Sequence, residues 1–329
     1  MGSSFNLDPA VPMSEAVRRA ACAELDAAYA GLASPPDRHK GVHDARKCLK
    51  RLRSLLLLIR PGLPDPLFLS LTDRVRTIAR GLAPARDAHA LLDAIDKLDG
   101  EIEVDGDGAP VQGLRAWLHR RRQAAERSLE GNMASDAVHA LFALRPAMAN
   151  LALYPDDFRP VTKGLRESYR DGRKAFTRAL ASGNDEDFHD WRTTLQHHWR
   201  HMQLLTPCWP SELSARAELS RGLSQILGDD HDIALIQQLV SAPTMMFGSP
   251  EDIAAFTKQC RRRQKELRLE ARKRGTRLLT ERSRPFANRI EAYWLSAAQS
   301  ANKPPPVAGP SNVVAFGDAG AAGRARASG

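Results

Sequence analysis

Two stretches, VHDARKCLKRLRSLLLLIRPGLP at residues 42–64 and FHDWRTTLQHHWRHMQLLTPCWP at residues 188–210, align without a gap at one offset of 146. His43, Asp44 and Arg46 match His189, Asp190 and Arg192, while Leu49, Leu58, Pro61 and Pro64 match Leu195, Leu204, Pro207 and Pro210. An offset that keeps a His, an Asp, an Arg and two prolines in place marks a duplicated unit of roughly 145 residues. A second patch agrees, because Arg76, Leu82 and Asp87 match Arg221, Leu227 and Asp232 at an offset of 145, with Arg86 opposite His231.

Apolar residues recur at helical spacing along nearly the whole chain, and alternating runs rich in Val, Ile and Thr are missing, which predicts an all-α protein. Helices are expected over 13–33, 40–60, 65–99, 110–131, 135–151, 159–182, 186–206, 211–241, 250–281 and 284–299. Turn formers separate them: SPPD at 34, PGLPDP at 61, DGDG at 105, SGND at 182, TPCWP at 206 and SAPTMMFGSP at 241. Each copy runs helix, His-Asp helix, long Arg-Asp helix, basic helix, the content of an antiparallel four-helix bundle. The chain then divides into a flexible N-terminus over 1–12, a first bundle over 13–151, a second over 152–299, and a flexible tail over 300–329 rich in Pro, Gly and Ala.

The 329 residues carry 48 Lys and Arg against 39 Asp and Glu, a formal net charge of +9, so the surface field favours anionic partners and polyanions first. A hydrophobic content of 43% suffices for a core in each half. Cys22, Cys48, Cys208 and Cys260 form no CxxC and no close pair, which argues against a disulfide framework or zinc site and for a reducing cytoplasm. No run of about 18 apolar residues exists, and no long apolar stretch follows a basic N-terminus, so neither a membrane span nor an export signal is expected.

At about 100° per residue, Arg46, Lys47, Lys50 and Ser54 fall within about 60° of His43, and Arg51 and Arg53 flank that stripe at roughly 80°. Ala45, Leu49, Leu52, Leu56 and Ile59 fill the opposite side, so this helix is expected to bury one face and present a cationic stripe on the other. In the second copy His189, Arg192, Thr193, Gln196 and Arg200 share one face, and Trp191, Leu195, Met202 and Leu205 the other; His198 reads as a packed histidine. A solvated helix face explains one basic stripe. It does not explain a His at the head and an Arg one turn later in both. Bundles packed about a pseudo-two-fold axis bring the stripes into one groove roughly 30 Å long, suited to an extended chain. Arg76, Arg80, Arg170, Arg173 and Lys174 lie near these helices in chain order and are assigned to the same groove. Other basic clusters, such as Arg18 and Arg19, Arg120 to Arg122 and Arg261 to Arg263, are assigned mostly to water.

Over about residues 13 to 298 the chain resembles the CHAD family, the conserved-histidine α-helical domain. The resemblance rests on the HDxR start of each duplicated helix with basic residues one and two turns on, on RDAHALL at 86 and HDIALIQ at 231, and on YRDGRKAF at 169. It implies two pseudo-symmetric four-helix bundles around a basic central channel that binds inorganic polyphosphate. It also implies association with cytoplasmic polyphosphate granules and partnership with phosphate-processing enzymes or granule proteins. Matched by position, the family's anion-binding residues fall on His43, Arg46, Lys50, Arg51 and Arg53, and on His189, Arg192, His197 and Arg200. Gln196 and Trp199 stand opposite Lys50 and Arg53, which implies a lopsided channel with most charge on the first wall. Near phosphates, His43 and His189 are expected to gain protons, tightening binding as the pH falls from about 7.5 to 6.

Three rival readings have sequence support. Net charge suits non-specific nucleic-acid binding, but 6% aromatic content and a buried Trp191 leave little for base stacking. A divalent metal could use His197 and His201, four apart, or DDHD at 229–232, but no third ligand can be assigned, and Asp229 and Asp230 are expected at a helix bend. An enzyme would need a motif, and there is no Walker loop, GxSxG or HExxH. Asp44 and Asp190 read as partners that hold neighbouring basic side chains. Taken with what the resemblance implies, the expectation is a non-enzymatic polyphosphate binder without catalytic residues, metal or cofactor.

Overall fold

In the computed structural model the described residues are 5–33, 37–82, 84–99, 109–129, 133–242 and 247–301, and every regular element among them is helical. In chain order the helices are α1 (Met13–Ala33), α2 (Arg38–Ile59), α3 (Asp65–Gly81), α4 (Pro84–Asp99), α5 (Ala109–Leu129) and α6 (Met133–Ala149). They continue with α7 (Arg159–Ser182), α8 (Asp185–Leu204), α9 (Pro210–Val240), α10 (Pro250–Leu278) and α11 (Ser283–Ala301). The SPPD turn in large part, the DGDG turn and the tail from 302 lie outside the described residues.

Local chemistry sets the breaks. Between α7 and α8, Gly183 takes a φ of 69° and its N–H reaches the carbonyl of Ala179, after which the Asn184 side chain accepts from the N–H of Asp187 at 2.8 Å. At α10, Ser249 and Asp252 form a reciprocal capping box. The helix expected over 65–99 is two helices, because Pro84, the first residue of α4, has no amide hydrogen with which to continue the ladder of α3. Its counterpart α9 has no internal proline and runs unbroken for 31 residues. Asp229 and Asp230 consequently sit in mid-helix, not at the expected bend.

Helices α1, α2, α3 and α6 pack together, as do α7, α8, α9 and α11. One hydrophobic core joins both groups, so the sequence division at 151/152 is not a division between cores. Helices α4 and α5 leave the first group and lie on the second half of α9 and on α10. There Leu92, Ile95, Leu114 and Leu118 meet Ile233, Ile236, Phe256 and Cys260 in a second core. At the N-terminus, Leu7 is fully buried and its N–H bonds the Leu204 carbonyl at 2.7 Å, so the segment expected to be flexible over 1–12 is anchored from Phe5 onward.

Helix α2 is central, touching α1, α3, α4, α7 and α8. Its expected apolar face, Ala45, Leu49, Leu52, Leu56 and Ile59, is buried throughout. Burial goes further than one face. Ser54, Leu55 and Leu58 are also sealed, because α7 and α8 cover the C-terminal half of the helix. The close approach to α7 depends on Gly164, where an added Cβ would lie 1.8 Å from the Leu58 carbonyl oxygen. Between α2 and α8 the contacts exchange under the 146 offset: Ser54 bonds His197 and His201, while Arg200, its offset partner, lies within electrostatic reach of Arg51, the partner of His197.

Candidate functional site

Along α2 the residues at i, i+4 and i+7 face α3 together, and α3 answers with a row of its own. Arg46, Lys50 and Arg53 from α2 and Arg76 and Arg80 from α3 line an open cleft of about 480 Å³, with Ala79 and a single carboxylate, Asp73. The Nη1 of Arg46 donates to the Ala79 carbonyl at 3.2 Å, which holds its guanidinium at the wall. Arg80 is 4.0 Å from Asp73. Neither Arg53 nor Arg76 has a carboxylate within ion-pair distance among the described residues. Burial lowers the pKa of Arg53, and the charge of Arg76 beside it lowers it further.

The cationic cluster extends onto α8. Arg200 is only 6% exposed, yet among the described residues its guanidinium donates to no more than the Gln196 carbonyl, at 2.9 Å, and it lies over the Trp199 ring. Burial pushes its pKa down to about 10, with Arg51 and Arg53 adding to the shift. His197 lies beneath the same group. Its pKa falls well below the usual value through burial first, then through His201, Arg200, Arg53 and Arg76. Its Nδ1 is 2.9 Å from the Ser54 hydroxyl, so this histidine ties α8 to α2. The Nε2 of His201 donates to the Ser54 carbonyl at 2.9 Å and completes that tie.

The expected residues do not all meet. Lys47 lies outside the cleft and pairs with Asp44 at 3.1 Å, and Asp190 pairs with Arg178 at 2.6 Å, so both aspartates hold basic side chains as read from sequence. Arg51 points the other way around α2, to the fully buried Glu24 at 3.4 Å and over the Phe5 ring. Arg170 lines a separate cleft with Arg60, Lys163, Asp65 and Glu167, and Arg173 and Lys174 line neither. His43 is half-buried at the head of α2. Ser54, placed on the stripe by its angle, is buried against α8.

At the head of α8, the His189 and His231 rings lie 4.2 Å apart. Arg192 extends beside them over Gly228, where a Cβ would come within 3.2 Å of its guanidinium. The Nδ1 of His189 and the Nε of Arg192 are buried without a hydrogen-bond partner among the described residues. Burial, then Arg192, lowers the pKa of His189 against the opposing pull of Asp190. His231 is lowered to about 4 by burial, His189 and Arg192. The alignment had set His231 opposite Arg86 without assigning it to the site. In the DDHD segment Asp230 pairs with Arg268 at 2.7 Å, and among the described residues no group of three or more His, Cys, Asp or Glu is placed to hold a metal ion.

The fold is shared with known proteins. The family model described as CHAD domain matches residues 16–241. Among solved structures, PptA from Streptomyces chartreusis is similar at a TM-score of 0.60 and 15% identity, covering 82% of this chain and 100% of that one. The crystal structure of the CHAD domain from the plant Ricinus communis is similar at a TM-score of 0.50 and 15% identity, covering 90% of this chain and 96% of that one. None of the curated proteins matches. No helix among the described residues is long and apolar enough to cross a membrane.

Proposed function

We propose that this chain, which belongs to the CHAD domain family, binds inorganic polyphosphate in the cleft between α2 and α3 without chemically altering it. The supporting observation is the gathering of Arg46, Lys50, Arg53, Arg76 and Arg80 around one open cleft against a single aspartate, with the buried Arg200 behind them. Like charges held this close cost free energy in the empty protein, and an anion relieves it. Polyphosphate carries about one negative charge per phosphate and no base edge, so recognition reduces to donors at chain spacing. The arginine forks supply paired donors, and Lys50 a point charge. The cluster at His189, His231 and Arg192 extends the path along α8, with less charge than the first wall.

Granule association and partnership with phosphate-processing enzymes or granule proteins follow from the same reading. Removing one charge-assisted partner costs about 1.5–3 kcal/mol, so Arg53→Ala and Arg76→Ala should each weaken long-chain polyphosphate binding roughly tenfold or more by titration calorimetry. Arg170→Ala should change it less than about twofold, as expected of a charge outside the cleft. Equal losses at all three positions would mean a diffuse field and sink the cleft. Phosphate release from polyphosphate with added Mg²⁺ or Mn²⁺ would sink the non-enzymatic part.

A further inference from the structure

A second cleft, of about 380 Å³, opens where α8 and α9 meet α2 and the anchored N-terminal segment. Its position is related to the first by the repeat offsets: Trp199 stands for Arg53, Glu218 for Asp73 and Arg221 for Arg76. Its chemistry is different. Five cations line the first cleft, whereas here two guanidiniums, Arg51 and Arg221, flank an aromatic wall of Trp199 and Phe5. Asn6, Gln203, Thr206 and Ser214 add uncharged polar groups, and Glu218 a carboxylate.

We propose that this second cleft binds a nucleoside phosphate, with the base against Trp199 and the phosphates on Arg51 and Arg221. A bare phosphate chain gains nothing from an indole, while a nucleobase stacks on one without regard to sequence. The indole is fixed in advance, because its Nε1 donates to the Oε1 of Gln203 at 3.1 Å. That bond leaves the Gln203 amide NH₂ to donate to the edge of a base. The Arg221 guanidinium lies 5.9 Å from the Trp199 ring centre, close enough for one nucleotide to touch both. Among the described residues Arg51 gives Glu24 its Nη1, so further donors of its fork face the cleft for phosphate oxygens. Glu218 repels a polyphosphate chain but accepts hydrogen bonds from ribose hydroxyls. The volume is that of a small-molecule cleft, roughly 300–1,000 Å³.

The proposal stands apart from polyphosphate binding, and its test separates the two. Calorimetry of the full chain with ADP, tripolyphosphate and long-chain polyphosphate should show ADP binding that Trp199→Ala weakens roughly tenfold and Trp199→Phe by less than about threefold. Arg221→Gln, at an exposed position, should also weaken ADP about tenfold and keeps the test valid should Trp199→Ala fail to fold. Long-chain polyphosphate affinity should be unchanged in Trp199→Phe, which keeps a ring under Arg200, and in Arg221→Gln. ADP affinity indifferent to Trp199, or tripolyphosphate that equals ADP at this cleft, would overturn the proposal, as would absence of ADP binding to the unaltered chain.

Discussion

Adjacent residues of α8 show what one sequence can and cannot reveal. His198 fell on the apolar side of the wheel and is indeed packed, 4% exposed, between Tyr169 and Phe286. Its Nε2 accepts from the Nε of Arg216 at 3.1 Å, so the ring is neutral with its proton on Nδ1. Trp199 aligned with Arg53 and marked a loss of charge, but the alignment said nothing of what the indole gains. Phe5 and Arg51 reach it from far away in sequence. The buried histidines set an acid limit. Burial takes His201 from 6.5 to about 4, and it takes His198 well below 6.5. A folded pKa below the unfolded one means that the unfolded chain binds the extra proton. Stability is thus full above about pH 6.5 and declines as the pH falls toward 4. Urea midpoints measured across that range should fall steadily, and His201→Gln should flatten the slope. For His189 the sign concerns the ligand: it is lowered in the free protein and raised by a bound polyanion. Polyphosphate affinity should therefore rise as the pH falls and keep rising below 6.5, past the window expected from an unshifted histidine, with His189→Ala removing much of the slope.

Most helix boundaries were legible because caps and breakers are local. Gly183 followed by Asn184, and Ser249 followed by Asp252, announce their ends within a few residues. Pro84 was equally visible, yet helical periodicity on both sides of it masked the break. The buried half of α2 was not legible at all. A helical wheel assigns one apolar face, and Ser54, Leu55 and Leu58 are sealed by α7 and α8, whose placement no wheel contains. The cleft survives because α7 and α8 cover only the C-terminal half of α2. Gly164 sets how near α7 comes. Gly164→Ala would drive a methyl group into the Leu58 carbonyl, and moving two packed helices apart costs about 1–3 kcal/mol or more. The thermal midpoint should drop by several degrees, and polyphosphate affinity should fall with it as α2 shifts. Gly81→Ala, with nothing within 4 Å of the added carbon, should leave both unchanged.

For the molecule as a whole, the duplication predicted two separate bundles, and the observed packing redistributes them. The pattern of one copy cannot say which copy its helices will lie on. Helices α4 and α5, from the first half, complete a core whose other walls are α9 and α10 from the second, while the larger core draws on both halves. The two halves therefore embrace each other, much as subunits that exchange an arm. A chain cut at 151/152 should yield fragments that are insoluble or unfolded when expressed alone, since each exposes the apolar surface its partner covers. Expressed together they should associate and recover helical content, as read by co-purification and circular dichroism. Two fragments that fold independently would contradict the shared cores. Joined to reporter halves, such a pair would couple reassembly to anion binding, because the α2–α3 cleft and the α8 that sets Arg200 behind it would arrive on different pieces.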